Sequence, residues 1–518
     1  MHALLTCKST ALTRPVLVVR ADADGRIGSG HVMRSLALAQ EWQRQGGEVI
    51  FLGRIGDSLL RQRLEAEGCR VETLPASHPD PRDQPASLAW LGEQAGQPGW
   101  LVADGYHFDG PYHQALRASG WSLLVIDDYA HLPVYHADIL LNPNAYAGDL
   151  KYHTDADTLL LLGSRFTPLR REFTHPAGRE QPPGDHPGRR ILVTMGGADP
   201  DNAGGRVVEA LLALNRDDLE VKIVIGPLNP HRPALVNQVA AARFRTELLA
   251  AVSDMAPLMG WADLAISAAG STCWELAALG VPMVVTVLAD NQERVAASLA
   301  AQGVGVNLGW HHAWEAKDAA AVIRELLADP ARLRQMAENG HRLVDGRGSE
   351  RVVRAMRLYH FTVRPATNDD RETVYQWAND PQTRAVSFRQ GPIPWPEHCR
   401  WFAARLADPD HLFYIVVSPG GEPLGQIRFA LDPAGQAVIS VGLDRNCRGS
   451  GLGGRIIRQA CEQAITARSL TRVQARIRPD NAPSIRAFAK AGFRRCEPTP
   501  APDHQAMTME YTREGATP

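Results

Sequence analysis

Residues Arg20 to Ala39 read RADADGRIGSGHVMRSLALA, and the fold is decided there. The apolar run before the stretch, Val16 to Val19, has the length and β-branched content of a buried strand, and behind it Val32, Leu36 and Ala39 recur at helical spacing. The stretch is therefore a strand, a glycine turn and a helix. Gly28 and Gly30 let the backbone bend tightly and approach a ligand. His31 falls in the first helical turn, where unpaired N–H groups and the positive end of the helix dipole face outward. A histidine there stands beside an anion site, although the same position also suits one that simply caps or packs.

Outward from this stretch, short apolar strands alternate with amphipathic helices from Val16 to about Arg171, the pattern of a parallel α/β sheet. Residues 174–188 read FTHPAGREQPPGDHPG from Phe173 onward, without apolar periodicity, and are expected to be a linker. A second α/β series begins at Ile191–Met195 and closes with helices over 316–358, broken at Asp329-Pro330. At His360-Phe361 the composition changes to strands, the glycine turn Arg448 to Gly453 and a following helix. The expected organisation is a leader at 1–14, a Rossmann-like half at 15–173, the linker, a second Rossmann-like half at 189–358, and a separate α+β domain at 360–515. Two such halves in tandem form a cleft between the carboxyl ends of their sheets, where ligand is expected.

Composition narrows the partners. With 518 residues, 44% of them hydrophobic and 22% charged, and a formal net charge of -2, the chain has ample core and no charge bias toward nucleic acid or an anionic membrane. No apolar run approaches the roughly 18 residues of a membrane span, and the first residues lack the apolar core of a signal peptide. Seven cysteines without a CxxC pair argue against a disulfide framework and a structural zinc site, and read as reduced thiols in a cytoplasmic protein. Small polar ligands are the expected partners.

The first glycine turn is not a dinucleotide fingerprint. Met33 stands where close helix packing needs a small residue, and strand 48–53 runs into Arg54 instead of a ribose-binding acid. The second half carries two further glycine turns, Met195 to Asp199 with Asn202, and Ser267 to Thr272, each able to present backbone N–H groups to phosphate at a helix start. Glu275 lies one turn further on, suited to accept hydrogen bonds from a ribose diol or to favour the helix dipole. The pattern SAAGSTCWELAALGVP, followed by Asp290-Asn291-Gln292, resembles the donor-binding half of GT-B glycosyltransferases of the lipid-II-forming type, which bind UDP-sugars.

Arg20, Asp22 and IGSGHVMRSLALA, together with Asp104-Gly105-Tyr106, Gly196 to Asp199, Asn202 and ISAAGSTCWE, resemble the nucleotide-sugar hydrolases of pseudaminic acid biosynthesis from about Pro15 to Arg357. The resemblance implies a GT-B-like cleft and release of UDP from UDP-2,4-diacetamido-2,4,6-trideoxy-β-L-altropyranose. It implies His31 as the base that activates water, and a helix N-terminus disfavours imidazolium, which suits that role. It carries Asp22 as a residue orienting water or sugar and Tyr106 on the acceptor side. UDP-sugar contacts are expected from Gly28, Gly30, Arg34, Gly197, Asp199, Asn202, Ser267, Gly270, Ser271, Thr272, Glu275, Asn291 and Gln292, with most of the UDP held around Gly270 to Glu275. No metal is implied, because helix ends and amides can take the diphosphate charge.

In the last domain, Arg448-Gly449-Ser450-Gly451-Leu452-Gly453, followed by Asn481-Ala-Pro-Ser484 and Ala491-Gly492-Phe493, resembles the GCN5-related N-acetyltransferases. The resemblance implies acetyl-CoA as co-substrate, held by Val441, Leu443, the Arg448 to Gly453 turn, Asn481 and Ser484. Trp377, Asn379, Arg384, Ser387, His398 and Trp401 further resemble the acetyltransferase of the same pathway, which acts on the 4-amino group of a UDP-amino-sugar. Phe488 stands where that fold commonly places the tyrosine that protonates the departing thiolate. A thiol of pKa about 8.5 can leave unassisted at some cost in rate. Glu397 and His398 are candidates for the amine proton. The expectation is a bifunctional enzyme acting on UDP-amino-sugars; the alternative is a glycosyltransferase fused to an acetyltransferase that modifies another amine or a protein.

Overall fold

The computed structural model describes residues 14–24, 27–94, 99–174, 188–197, 199–226, 229–250, 252, 254–496 and 506–512. The expected leader, apart from Arg14, and the expected linker, apart from Thr174 and Gly188, lie outside the described residues. The chain divides into two compact units, Met1–Val353 and Arg354–Pro518.

The first unit holds two parallel sheets. The first comprises β1 (Val16–Arg20), β2 (Glu48–Gly53), β3 (Arg70–Thr73), β4 (Gly99–Asp104), β5 (Ser122–Ile126), β6 (Ile139–Asn142) and β7 (Leu159–Leu162), with helices α1 (Gly30–Arg44), α2 (Ser58–Ala66), α3 (Asp83–Glu93) and α4 (Gly110–Ala118). Its order is β3-β2-β1-β4-β5-β6-β7. All five residues of β1 are buried, as a parallel strand covered on both faces requires. The order reverses between β1 and β4, and at such a switch point the loops leaving the strands part and open a crevice. His31 follows β1 and Tyr106 follows β4.

The second sheet comprises β8 (Arg190–Thr194), β9 (Glu220–Ile225), β10 (Arg245–Ala250), β11 (Leu264–Ala268), β12 (Met283–Val287) and β13 (Gly305–Trp310), ordered β10-β9-β8-β11-β12-β13. Its helices are α5 (Ala203–Ala213), α6 (Arg232–Val239), α7 (Ala256–Trp261), α8 (Thr272–Ala278), α9 (Glu293–Ala301), α10 (Ala316–Leu327), α11 (Pro330–Leu343) and α12 (Gly348–Leu358). Asp329 caps α11 through the Arg332 N–H, with Pro330 opening the helix, which accounts for the break read at that dipeptide. The reversal here falls between β8 and β11, so the turn from Ala268 to Ser271 also leaves the sheet at its switch point.

The start of α12 returns to the first half. Ser349 Oγ accepts from the Leu169 N–H and donates to the Leu169 carbonyl, both at 3.1 Å. A Cβ on Gly348 would stand 2.0 Å from the Thr167 carbonyl oxygen, so only glycine allows the backbones to meet.

The second unit is a mixed sheet of β14 (Thr362–Pro365), β15 (His411–Val417), β16 (Pro423–Leu431), β17 (Gln436–Leu443), β18 (Arg472–Ile477), β19 (Arg494–Arg495) and β20 (Met507–Thr512), ordered β14-β15-β16-β17-β18-β20-β19. Helices α13 (Arg371–Asn379), α14 (Pro381–Ala385), α15 (Trp395–Ala407), α16 (Gly453–Arg468) and α17 (Ala482–Lys490) accompany it. β17 runs to Leu443 but pairs in parallel with β18 only over Gln436–Ile439, so the two strands part beyond that point. Among the described residues no helix is long and apolar enough to cross a membrane.

Candidate active sites

A cavity of about 270 Å³ lies between the two halves of the first unit. Gly30, His31, Arg34, Tyr106 and Asp128 line it from one side and Gly270, Ser271, Glu275 and Asn291 from the other, with Thr167 to Arg170 between them. Helix α1 enters with Ser29 making no side-chain cap and no acid in its first turn, so its terminal N–H groups are not spent on the helix itself.

His31 is held by a buried carboxylate. Its Nδ1 lies 2.7 Å from Asp104 Oδ1, and Arg34 donates to both oxygens of Asp104, from Nη2 at 2.6 Å and Nε at 2.7 Å. Ser35 Oγ donates to Asp104 Oδ2 at 3.0 Å. Burial alone would raise the Asp104 carboxyl, but the Arg34 charge and the hydrogen bonds from Arg34 and His31 outweigh it and hold the group well below the usual carboxylate range. An ionised carboxylate only accepts, so Nδ1 carries the ring proton and Nε2 is the nitrogen left to act as a base.

Beside this pair, Arg34 Nη1 donates to Asp128 Oδ2 at 2.6 Å, and the Tyr106 hydroxyl donates to the same oxygen. Asn144 Nδ2 donates to Asp128 Oδ1 at 2.7 Å. Burial, reinforced by the Asp128 charge, keeps the Tyr106 phenol protonated far above its usual range, and the ring meets His31 edge to face at 4.5 Å between centroids. Arg34, expected among the UDP-sugar contacts, is thus neutralised by two carboxylates. It lines the cavity with its charge already paired.

Across the cavity Glu275 receives a hydrogen bond from Arg170 Nη2 at 2.8 Å. Burial raises the Glu275 carboxyl, and the Arg170 charge only partly opposes it. Arg170 comes from the segment that closes the first half, so this ion pair joins the two halves at the cavity.

Several expected contacts lie elsewhere. Asp22 is fully buried away from the cavity, receiving hydrogen bonds from Arg20 at 2.8 Å and from the Arg54 N–H at 2.7 Å, with His107 Nε2 at 2.9 Å. Burial alone would raise its carboxyl; the bonds from His107 and Arg20 prevail and hold it at about 2. It braces β1, because the Arg20 that ends that strand must keep its charge paired once buried. Asp199 accepts from the Ala203 and Gly204 N–H groups at 2.7 and 2.9 Å, closing the start of α5, with Asn202 left-handed at φ 55° beside it. Ser267 Oγ donates to the Ala268 carbonyl, and Gln292 Oε1 accepts from the Leu288 N–H, both at 3.0 Å. Gly28, Gly197 and Thr272, like these, are not among the residues lining the cavity. Asp104, Asp128 and Arg170 were given no role from sequence; a buried acid at the end of β4 was the signal available.

In the second unit the turn after β17 has Gly449 at φ 79° and Gly451 at φ 87°, left-handed values that suit glycine. Ser450 Oγ donates to the Cys447 carbonyl at 2.7 Å, and α16 starts at Gly453. Val441 and Leu443 sit on the part of β17 left open beside β18, an edge that can pair with an amide-bearing ligand. The side chains of Arg448 and Asn481 are engaged locally: Arg448 donates to Asp380 at 2.7 Å, and Asn481 caps α17 through the Ser484 N–H at 3.2 Å. Phe488 is buried edge to face against Phe493, 4.9 Å between centroids. A second cavity, of about 520 Å³, is lined by Arg384, Glu397, His398, Trp401, Gln426 and Arg428 among others. His398 Nε2 donates to the Arg371 carbonyl at 2.9 Å, and burial, ahead of the neighbouring arginine charges, lowers its proton affinity. Among the described residues no three His, Cys, Asp or Glu side chains converge as a metal site would require.

A paired-sheet unit with its cavity at both switch points, followed by a mixed sheet with a left-handed glycine turn, defines a chain that joins a GT-B unit to an acetyltransferase fold. Residues 190–348 match the glycosyltransferase family 28 C-terminal domain, and residues 360–494 match the acetyltransferase (GNAT) domain. The UDP-N-acetylglucosamine–N-acetylmuramyl-(pentapeptide) pyrophosphoryl-undecaprenol N-acetylglucosamine transferase of Pseudomonas paraeruginosa is 30% identical over 353 residues, covering 63% of this chain and 94% of that protein. The spore coat polysaccharide biosynthesis protein SpsG of Bacillus subtilis is 30% identical over 167 residues, 32% of this chain and 49% of that protein, so about half the length of that relative is spanned. MurG of Acinetobacter baumannii aligns at 19% identity with a TM-score of 0.48, covering 66% of this chain and 98% of that structure. The chain belongs, through its first unit, to the family 28 glycosyltransferases, and carries a GNAT acetyltransferase domain behind it. In outline it is a bifunctional nucleotide-sugar enzyme.

Proposed function

We propose that the first unit hydrolyses a UDP-amino-sugar and that the second acetylates the amine of its precursor. The reading commits to UDP-2,4-diacetamido-2,4,6-trideoxy-β-L-altropyranose as the hydrolysed substrate and to the 4-amino group of the preceding UDP-sugar as the acetyl acceptor. The observation that carries it is His31 in the cavity with its Nδ1 fixed by Asp104.

Water attacks the anomeric carbon, the bond from that carbon to the diphosphate oxygen breaks, and the water proton passes to His31 Nε2. UDP is a good leaving group and needs no acid, so the protein has to supply a base and hold the diphosphate. Gly270, Ser271 and Glu275 stand opposite His31 to hold nucleotide, with Glu275 accepting from ribose once Arg170 yields it. In the second unit acetyl-CoA lies along the open edge of β17 with its pyrophosphate on the Gly449 to Gly453 turn. The neutral amine attacks the thioester carbon, the carbon–sulfur bond breaks, and the amine proton leaves toward Glu397.

The matches to family 28 favour a second reading, in which the same cavity passes the sugar to an acceptor. Incubation of the purified chain with the UDP-sugar in H₂¹⁸O decides between them. Hydrolysis releases unlabelled UDP and a free sugar carrying ¹⁸O at its anomeric carbon, with no added acceptor; release only when an acceptor is supplied would establish transfer instead.

A further inference from the structure

The cavity of about 520 Å³ in the second unit contains polar atoms that the protein itself does not satisfy. Arg428, on β16, donates from Nη2 to Ser440 Oγ at 2.8 Å and lies 4.8 Å from the Trp401 ring centroid, yet its Nε is shut off from solvent without a partner. Arg384, on α14, donates to the Arg389 carbonyl at 3.0 Å and to Ser387 Oγ at 3.1 Å, and its Nε is likewise buried and unpartnered. Gln426 Oε1 is a third such atom, an acceptor in the same lining. Among the described residues neither guanidinium is ion-paired to a carboxylate, whereas Arg364, Arg405 and Arg448 of the same unit are.

A guanidinium withdrawn from water without an anion is costly, and the cost is recovered when an anion arrives. Burial, with the nearby Arg405 charge adding to it, lowers Arg428 to about 10, the sign expected of a cation lacking its counter-ion. Trp401 flattens one face of the guanidinium and leaves its N–H edge for a ligand, the geometry that suits phosphate or carboxylate. Glu397 is the carboxylate of this lining and suits the amine end of the same molecule.

We propose that the acetyl acceptor is an amine that carries its own anionic group, and that Arg428, with Arg384, holds that anion. The cavity thereby selects against polycationic amines, which would place positive charge on two unpaired guanidiniums. This deepens the reading of the second unit as an amine acetyltransferase and rests on it, but does not require the anion to be a nucleotide diphosphate.

The test measures CoA release by the full-length protein with four amines: a UDP-4-amino-4,6-dideoxy-sugar, the corresponding amino-sugar 1-phosphate, its uncharged methyl glycoside, and spermidine. The two anionic amines are expected to exceed the other two by about 100-fold in kcat/KM. Arg428→Met is expected to raise KM for the anionic amines at least about tenfold while KM for acetyl-CoA stays within about twofold, and Arg428→Lys to restore part of the loss. Should Arg428→Met disturb acetyl-CoA binding, Arg384→Gln carries the same comparison. Equal use of the methyl glycoside or spermidine, or an equal loss for all amines in the variant, overturns the proposal. Turnover of the 1-phosphate but not the UDP-sugar would keep the anion site and refute the nucleotide reading; turnover of the UDP-sugar with silent arginine variants would do the reverse.

Discussion

His31 Nδ1 lies 2.7 Å from Asp104 Oδ1, and that carboxylate is fully buried beneath the cavity. Because Arg34 holds both carboxylate oxygens, Asp104 is fixed before any ligand arrives, and the imidazole has one orientation and one tautomer to offer.

His31→Ala removes the proposed base without touching the opposite wall. UDP release is expected to fall by at least about 10²-fold, the usual scale of general-base catalysis, with UDP affinity nearly unchanged by calorimetry. Normal turnover would take His31 out of the reaction.

Asp104→Asn preserves shape but replaces an obligate acceptor with an amide that can stabilise the wrong tautomer. The expected result is a loss of about 10²–10⁴-fold in kcat with little change in KM. Arg34 would then be left with Asp128 alone, and removing one partner of a buried ion pair costs about 3–5 kcal/mol, so a lower Tm should accompany the kinetic loss. A change confined to Tm would mean Asp104 is only structural.

Glu275→Ala is expected to weaken UDP binding at least about tenfold, by loss of hydrogen bonds to a charged acceptor. It also frees Arg170, so the double variant with Arg170→Ala separates the two contributions. If UDP affinity is unaffected in either, Glu275 does not reach the nucleotide.

Asp22 makes a pH prediction. Its folded-state carboxyl is held at about 2 against an ordinary value of 3.8, so its stabilisation is fully present above the unfolded value and lost as pH falls through the folded one. The shift corresponds to about 2 kcal/mol. Denaturant titrations should show Asp22→Asn less stable than the parent at pH 7, with the difference shrinking between about pH 4 and pH 2. A gap that persists unchanged at pH 2 would contradict the ion-pair assignment.

Gly451→Glu places a side chain at φ 87° on the turn proposed to receive the CoA pyrophosphate, adding both strain and like charge. Acetyl-CoA binding should be lost while UDP release continues. Unchanged CoA affinity would displace that site from the turn.

The doubly wound halves and the mixed third sheet were legible because Val16 to Val19, Ile191 to Met195 and the Arg448 to Gly453 turn each combine an apolar strand with glycine chemistry at its end. Other strands carry weaker signals in the sequence. β7 is a run of four leucines that fits strand or helix, and β10 is an edge strand whose residues are all exposed or half-buried. Of the residues lining the cavity, His31, Glu275 and the Gly270-Ser271 turn stood out in the sequence because each sits at a helix start beside a recognisable motif. Asp104, Asp128 and Arg170 did not, because their partners are distant in sequence: 73 residues separate His31 from Asp104, and 105 separate Arg170 from Glu275. Pairing across such distances is a property of the strand order, which periodicity does not encode. Asp22 was carried by resemblance alone, and it lies in a buried pair with Arg20 instead of on the cavity lining.

The meeting of Gly348 and Ser349 with Thr167 and Leu169 stiffens one wall of the cavity. The Thr167 to Arg170 wall is backed by a backbone-to-backbone seam with no room for a methyl group, so it is stiff. The opposite face has a seam of the same kind behind α8, since a Cβ on Gly340 would stand 2.8 Å from the Ala277 carbonyl oxygen, while Asn291 is exposed just ahead of α9. Both walls are thus held at their backbones, and substitutions at Gly348 should rigidly misplace Arg170 instead of loosening it.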